Sequence, residues 1–385
     1  MTPTIPATAG SQSDAWRWTL TPGAFRIVLA FFVVIDHSLP LKLGPGAVAL
    51  FFMLSGYWVN VMWHGEYEKT FAPWRVFMIS RLWRLFPVYF LSLAAYVTVS
   101  LAISLPLPFE HAWPPFQKLH FYVSNLFILG LAEVPIGQRI VYPGWSLDIE
   151  LQFYLVAPLI IAMVAPKKSF LTLVALAMVA VAGAGYFLVC DEGLLSASGP
   201  MPLYLGFFLI GLGAARYNWR PSGRTANASL LSAVAFLVAM IAFHKTRGLF
   251  LGGFLTTPIS YYAPAANFLL AMLLVPYAMA TVRISAKTRG GLIAAIDRHL
   301  SNLTYEVYLL HASVITGFNY LMTGIPRLYQ MVFLPAAYGL IFVLACIVYR
   351  FYDQPIDKRR RAYVKQASRP LPDLTQRQSQ PALTG

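Results

Sequence analysis

The sequence predicts an all-α fold, a polytopic transmembrane helical bundle of about ten helices. Three observations predict it. Hydrophobic residues fill 58% of the 385 positions and charged residues only 11%, well short of the roughly one-quarter charge of a soluble domain. The apolar residues gather into blocks long enough to cross a bilayer, about 17–25 residues each. The basic residues are dense after alternate blocks and sparse after the others, the asymmetry that orients membrane helices.

The blocks lie at 24–41, 45–63, 85–105, 146–164, 169–190, 201–217, 228–244, 262–281, 302–322 and 331–351. The first 22 residues are polar and rich in Thr, Ser and Pro. They lack the basic start, apolar centre and small-residue cleavage site of a leader, so block 24–41 is expected to act as an uncleaved signal anchor. A tight turn, Leu43-Gly44-Pro45-Gly46, leads into the second block. The stretch Leu119 to Leu131 is short for a span and lies between Trp113-Pro114-Pro115 and Pro135, which predicts a re-entrant or interfacial piece.

Charge then assigns sides. With the N-terminus inside, Lys42, Lys118, Arg139, Lys245, Arg247 and Arg327 fall outside, and the other 23 of 29 basic residues fall inside or at inner helix ends. An eleventh span at 119–131 would put Lys358-Arg359-Arg360-Arg361 outside, against the same rule. Both termini are therefore expected in the cytoplasm. The expected organisation is a cytoplasmic N-terminal segment at 1–22, a transmembrane domain at 23–352 and a basic cytoplasmic tail at 353–385. The net charge of +14 reads as topology and attraction to anionic membrane lipid rather than nucleic-acid binding. Loops 64–84 and 106–145 are too short to fold alone, and no internal repeat is evident. The chemistry thus falls to the helices and these two loops.

Ionisable residues inside such blocks are costly and mark function. Arg26 and His37 stand eleven positions apart in the first block, almost three helical turns, on one face and roughly 16 Å apart along the axis. A basic group and an imidazole on one stripe suit binding and proton transfer along a pathway. Asp36 points about 100° away from His37 and is expected to bond a neighbouring helix. In Phe51-Phe52-Met53-Leu54-Ser55-Gly56, Ser55 and Gly56 offer a small surface for close helix packing or for a slim ligand; both readings are open.

Arg81 and Arg84, three apart, put two guanidinium forks on one helical turn. They either obey the charge rule or hold the phosphates of a nucleotide-like donor such as coenzyme A. In Trp145-Ser146-Leu147-Asp148-Ile149-Glu150-Leu151-Gln152-Phe153-Tyr154, Asp148 has a capping explanation at the positive end of the helix dipole. Glu150 and His37 come out at similar depth, so Glu150 is expected to orient His37 and support its protonation. His311, with Tyr308 on the same face, reads as a buried interhelical hydrogen-bonding residue or a direct participant. His64, His111, His120, His244 and His299 lie in or beside loops without ligand spacing, and Cys190 and Cys346 form no cluster, so no metal site is predicted.

Together, and in this order, these motifs resemble the acyltransferase 3 family of integral membrane O-acyltransferases acting on bacterial surface glycans. Tyr308-Leu309-Leu310-His311 and Tyr352-Asp353-Gln354-Pro355 fit as well, with Asp353 where the family often has Glu. The resemblance implies a bacterial inner-membrane O-acetyltransferase that moves an acyl group from cytoplasmic acetyl-CoA, or another acyl-CoA, to a sugar hydroxyl of a polysaccharide. It implies His37 as general base or acyl relay, Glu150 supporting it, Arg26 along the donor's route, and Arg81 and Arg84 on donor phosphates. Relatives often carry an extracytoplasmic hydrolase-like domain for which these residues leave no room, so a separate extracytoplasmic partner is an expectation. The rival reading is a transporter or flippase of a glycan-related substrate; a membrane glycosyltransferase is disfavoured by the lack of an acidic metal-binding pair in a hydrophilic loop.

Overall fold

Proline opens helix after helix in this chain, within the first two positions of six of them, where its missing N–H costs nothing and its fixed φ suits the first turn. The computed structural model describes residues 19–107, 113–164, 172–174, 176–178, 180, 201–252, 262–284 and 290–368. Its helices, in chain order, are α1 (Pro22–Ser38), α2 (Gly44–Gly65), α3 (Pro73–Ala102), α4 (Pro115–Phe127), α5 (Trp145–Met163), α6 (Met201–Arg216), α7 (Gly223–Ala242), α8 (Ala263–Arg283), α9 (Gly291–Leu321), α10 (Arg327–Val348) and α11 (Gln354–Ala367). No strand occurs among the described residues.

Six helical stretches are long and apolar enough to cross a membrane. They are α2, α3, α5 with the turn before it, α7, α8 and the run from α10 into α11. The described residues therefore carry fewer spans than the ten expected. One reason is length: α1 has 17 residues and α6 has 16, each about 25 Å of helix. Another is that the expected span at 169–190 falls mostly outside the described residues. The stretch 119–131, expected to be re-entrant or interfacial, is helical only as far as Phe127, in α4, which is 13 residues long, about 20 Å of helix and too short for the hydrocarbon core.

Two helices start well before their apolar blocks. α3 begins at Pro73 and α9 at Gly291, because charged residues near their starts, Arg75, Arg81 and Arg84 in α3 and Asp297 and Arg298 in α9, lower a hydropathy window without stopping the helix. Those starts matter. In α9 the Asp297 carboxylate accepts from the backbone N–H groups of Gly23 and Ala24, at 2.8 and 3.1 Å, capping α1 with a side chain from elsewhere in the chain. Asp36 does the same for α2, accepting from Gly44 N at 2.8 Å. The Lys42 ammonium bonds the Asp36 carbonyl at 2.5 Å, closing the α1–α2 corner.

α2 and α6 cross at close range. A Cβ at Gly56 would collide with the Phe208 carbonyl oxygen, and one at Gly211 with the carbonyl oxygen of Met53. Phe208 then stacks on Phe52 at 4.8 Å and on Phe153 at 4.0 Å between ring centroids, joining α2, α5 and α6 into the main core. Gly56 is thus a packing residue. Ser55 points away from this contact.

The chain does not end as a simple tail. A π-helical turn at Tyr349–Asp353 links α10 to α11, and α11 docks on the start of α3. Phe71 N donates to the Ala367 carbonyl at 3.3 Å, Arg360 donates to the Ser80 hydroxyl at 2.8 Å, and the Trp83 and Tyr363 rings lie 5.7 Å apart. A basic stretch expected to be only a lipid-facing tail is, from 354 to 367, a helix seated on the bundle.

Replacing Gly56 with Ala forces α2 and α6 apart and is expected to cost about 1–3 kcal/mol, the usual penalty of overpacking. Thermal unfolding of the detergent-purified protein measures it: Gly56→Ala melts lower, while Ser55→Ala, outside the crossing, shifts the midpoint far less.

Candidate active site

A cavity of about 500 Å³ lies among α1, α2, α3, α5, α9, the π-helical turn and α11. Arginines dominate its polar lining. Arg26, one turn into α1, donates to the Ser301 hydroxyl at 3.3 Å and lies over the Trp58 ring at 5.8 Å. Arg81 sits among three rings, those of Phe77, Tyr67 and Tyr154, at 5.3–5.5 Å. Arg84 bonds Asp353 at 3.3 Å and lies 5.4 Å from the Tyr305 ring. Ring faces attract guanidinium groups and tolerate their burial better than aliphatic surface does.

Arg81 is only 7% exposed, it donates to the Tyr67 hydroxyl at 3.2 Å, and its buried Nε has no hydrogen-bond partner among the described residues. Such a donor is rare in a folded protein and suits an acceptor atom brought by a ligand. Glu150 faces the same cavity. Its carboxylate accepts from the Ser55 hydroxyl at 2.8 Å and from Tyr154, one turn along α5, so it supplies negative charge among the guanidiniums.

A second group lies beyond the cavity's inner end. The His37 ring, exposed in the last turn of α1, stacks on His311 at 5.4 Å and lies 4.5 Å from the Tyr142 ring. His311 is fully buried, and neither ring nitrogen has a hydrogen-bond partner among the described residues; the buried Tyr142 hydroxyl has none either. Tyr308 belongs to both groups. Its side chain lines the cavity, its hydroxyl bonds that of Ser146 at 2.7 Å, and its ring lies 6.1 Å from His311.

Three expectations change here. Glu150 and His37, matched in depth, belong to different groups: the neighbours of His37 are His311 and Tyr142, and those of Glu150 are Ser55 and Tyr154. Depth along a helix axis leaves the direction around it open, and Glu150 turns towards the arginines. Asp148 does not cap its own helix. Fully buried, it accepts from Ala132 N at 2.8 Å and from Gln152 at 2.9 Å, so it anchors the loop before α5. Among the described residues His311 makes no interhelical hydrogen bond and instead stacks on the His37 ring of α1, which leaves the reading of it as a participant.

Trp58, Tyr142 and Glu306 are residues that sequence reasoning missed, and Asp353, quoted there only as part of a motif, turns out to pair with Arg84. Asp353 is 2% exposed, and Glu306 is fully buried close to the Arg84–Asp353 pair. Glu306 had a signal, a lone carboxylate five residues before His311 in an apolar block. Tyr142 had none, since an aromatic residue in a proline-containing loop is common.

The family model of the acyltransferase 3 acyltransferase domain matches residues 23–350. The chain belongs to the acyltransferase 3 family. The match spans α1 through α10 and takes in Arg26, His37, Arg81, Arg84, Glu150 and His311, so the three arginines of the cavity and the His37 cluster lie inside the family domain. The protein is a membrane acyltransferase. Comparisons with curated proteins and with solved structures returned no match.

The Arg84–Asp353 contact ties α3 to the π-helical turn, with Asp353 buried and Arg84 a third exposed. A double-mutant cycle of Arg84→Gln and Asp353→Asn, read by chemical or thermal unfolding, is expected to give a coupling of about 1 kcal/mol. Additive effects of the two substitutions would show that the pair does not hold the turn.

Proposed function

We propose that the protein is an O-acetyltransferase that moves an acyl group from cytoplasmic acyl-CoA to a sugar hydroxyl of an extracytoplasmic or lipid-linked polysaccharide, working in the bacterial inner membrane with both termini in the cytoplasm. One observation carries this reading. The arginine-lined cavity and the His37 cluster share Tyr308, so a donor held in the first can present its acyl carbon to an acceptor held in the second.

The donor's phosphates sit on Arg81 and Arg84, whose forks suit phosphate oxygens and whose aromatic surroundings lower the cost of burial. Arg26 orients the thioester along the cavity. Glu150, fixed by Ser55 and Tyr154, offsets the positive charge of the arginines and keeps the cavity from filling with small anions. His37 stands at the acceptor end. It takes the proton from the sugar hydroxyl as the oxygen attacks the thioester carbonyl, the C–O bond forms and the C–S bond breaks. That proton passes from the imidazole to the departing sulfur, leaving a free thiol and an ester. Only the small acyl group needs to pass Tyr308. The coenzyme's phosphates stay behind, where unpaired transfer through an apolar interior would be prohibitive.

Membranes given labelled acetyl-CoA and a glycan acceptor are expected to build alkali-labile label into the glycan. Removing the base with His37→Ala should slow this by about 100-fold or more while leaving binding of the coenzyme intact. Undiminished transfer by a well-expressed His37→Ala protein would overturn the role of that histidine. Failure to transfer to any of a range of acceptors would favour the transporter.

A further inference from the structure

The cavity reaches beyond the family domain. The matched region ends at residue 350, whereas the lining continues through Asp353, Asp357, Arg360 and Arg361 on the π-helical turn and α11. These side chains are ordered by one another. Asp357 accepts from Arg360 Nε at 2.8 Å and Nη2 at 2.7 Å through one oxygen, and from Arg361 Nε at 2.7 Å through the other. Arg360 spends its remaining terminal nitrogen on the Ser80 hydroxyl, pinning α11 to α3, and its side chain is only 15% exposed.

Arg361 differs. Its side chain is 70% exposed, Asp357 holds it by Nε, and its two terminal nitrogens make no hydrogen bond among the described residues. A guanidinium oriented by one edge, with its other edge free at the mouth of a cavity, is prepared for bidentate contact with a tetrahedral anion. Charge agrees with this: Arg84, Arg360 and Arg361 face Asp353 and Asp357 at this end, a surplus of one positive charge before Arg81 is counted. The supporting helix is firmly seated, with Val364 and Ala367 buried against the bundle.

We propose that Arg361, set by Asp357 and backed by Arg360, forms a subsite at the cavity mouth for a phosphomonoester, the 3′-phosphate on the nucleoside end of the acyl donor. This rests on the acyl-CoA reading above and adds a second anchoring point to it. The thioester arm enters between Arg81 and Arg84, while the far end of the donor is read by a helix outside the family domain. An anionic lipid headgroup offers the same phosphate chemistry, so the test separates the two sources.

Full-length protein in nanodiscs is titrated with acetyl-CoA and with 3′-dephospho-acetyl-CoA, as wild type and as Arg361→Gln. Wild type is expected to bind the complete donor about tenfold more tightly, the scale of one exposed charge-assisted contact. Arg361→Gln should remove that preference by weakening acetyl-CoA alone, and Arg361→Lys, which keeps the charge without the fork, should fall between. Equal affinity of wild type for the two donors, or an unchanged preference in Arg361→Gln, overturns the subsite while leaving the acyl-CoA reading in place. An effect of Arg361→Gln that is equal for both donors and appears only with anionic lipid in the disc assigns the arginine to lipid and overturns the proposal. If wild type neither binds acetyl-CoA nor transfers from it, the donor reading itself fails and the subsite with it.

Discussion

Guanidinium groups buried in an apolar bundle must be paired, stacked or wetted, and most of the architecture of this protein answers that demand. Arg26, Arg81 and Arg84 come from two helices, yet each is met by groups from other elements: Ser301 and Trp58, the rings of Tyr67 and Tyr154, and Asp353. Desolvating a charge costs several kcal/mol unless such partners are in place. The partners in turn fix the helices that carry them. α9 is held against α1 by the Asp297 cap and by Ser301, and the chain beyond α10 is held to α3 by Asp353 and Arg360. The cavity is what remains between helices kept at the spacing their arginines require.

Much of this was legible in the sequence. The blocks that hold α2, α3, α5, α7, α8 and α10, the shortness of the stretch at 119–131, and Arg26, His37, Arg81, Arg84, Glu150 and His311 as polar residues of an apolar bundle follow from hydropathy, charge and spacing, because membrane helices are selected by those quantities. What failed was azimuth. Helical periodicity places Glu150 and Asp148 correctly along α5, but which neighbour each one meets depends on how α5 turns against α2, α3 and the loop before it. The small pair Ser55-Gly56 shows the same limit from the other side. One residue serves helix packing and the next lines the cavity, a division set by the crossing with α6, which no single helix encodes.

The ends of helices were also hidden. The opening stretches of α3 and α9 carry Arg75, Asp297 and Arg298, charges that lower a hydropathy window and that nonetheless sit in helix. α11 escaped for the opposite reason. Its Lys358-Arg359-Arg360-Arg361 run reads as a solvated tail, and only the seating of Val364, Ala367 and Tyr363 on α3 makes it part of the bundle.

Tyr308 has a consequence beyond catalysis. On the proposed route the arginine cavity and the His37 cluster open towards opposite sides of the bilayer, and a continuous water column between them would let ions run down their gradients. An aromatic ring anchored by Ser146 stands at the junction. A hydrated cation cannot shed its water to pass such a ring, whereas a flat two-carbon group carries no charge to strip. On that route the side chain between donor and acceptor would double as an electrical seal, and acylation would not discharge the membrane it works across.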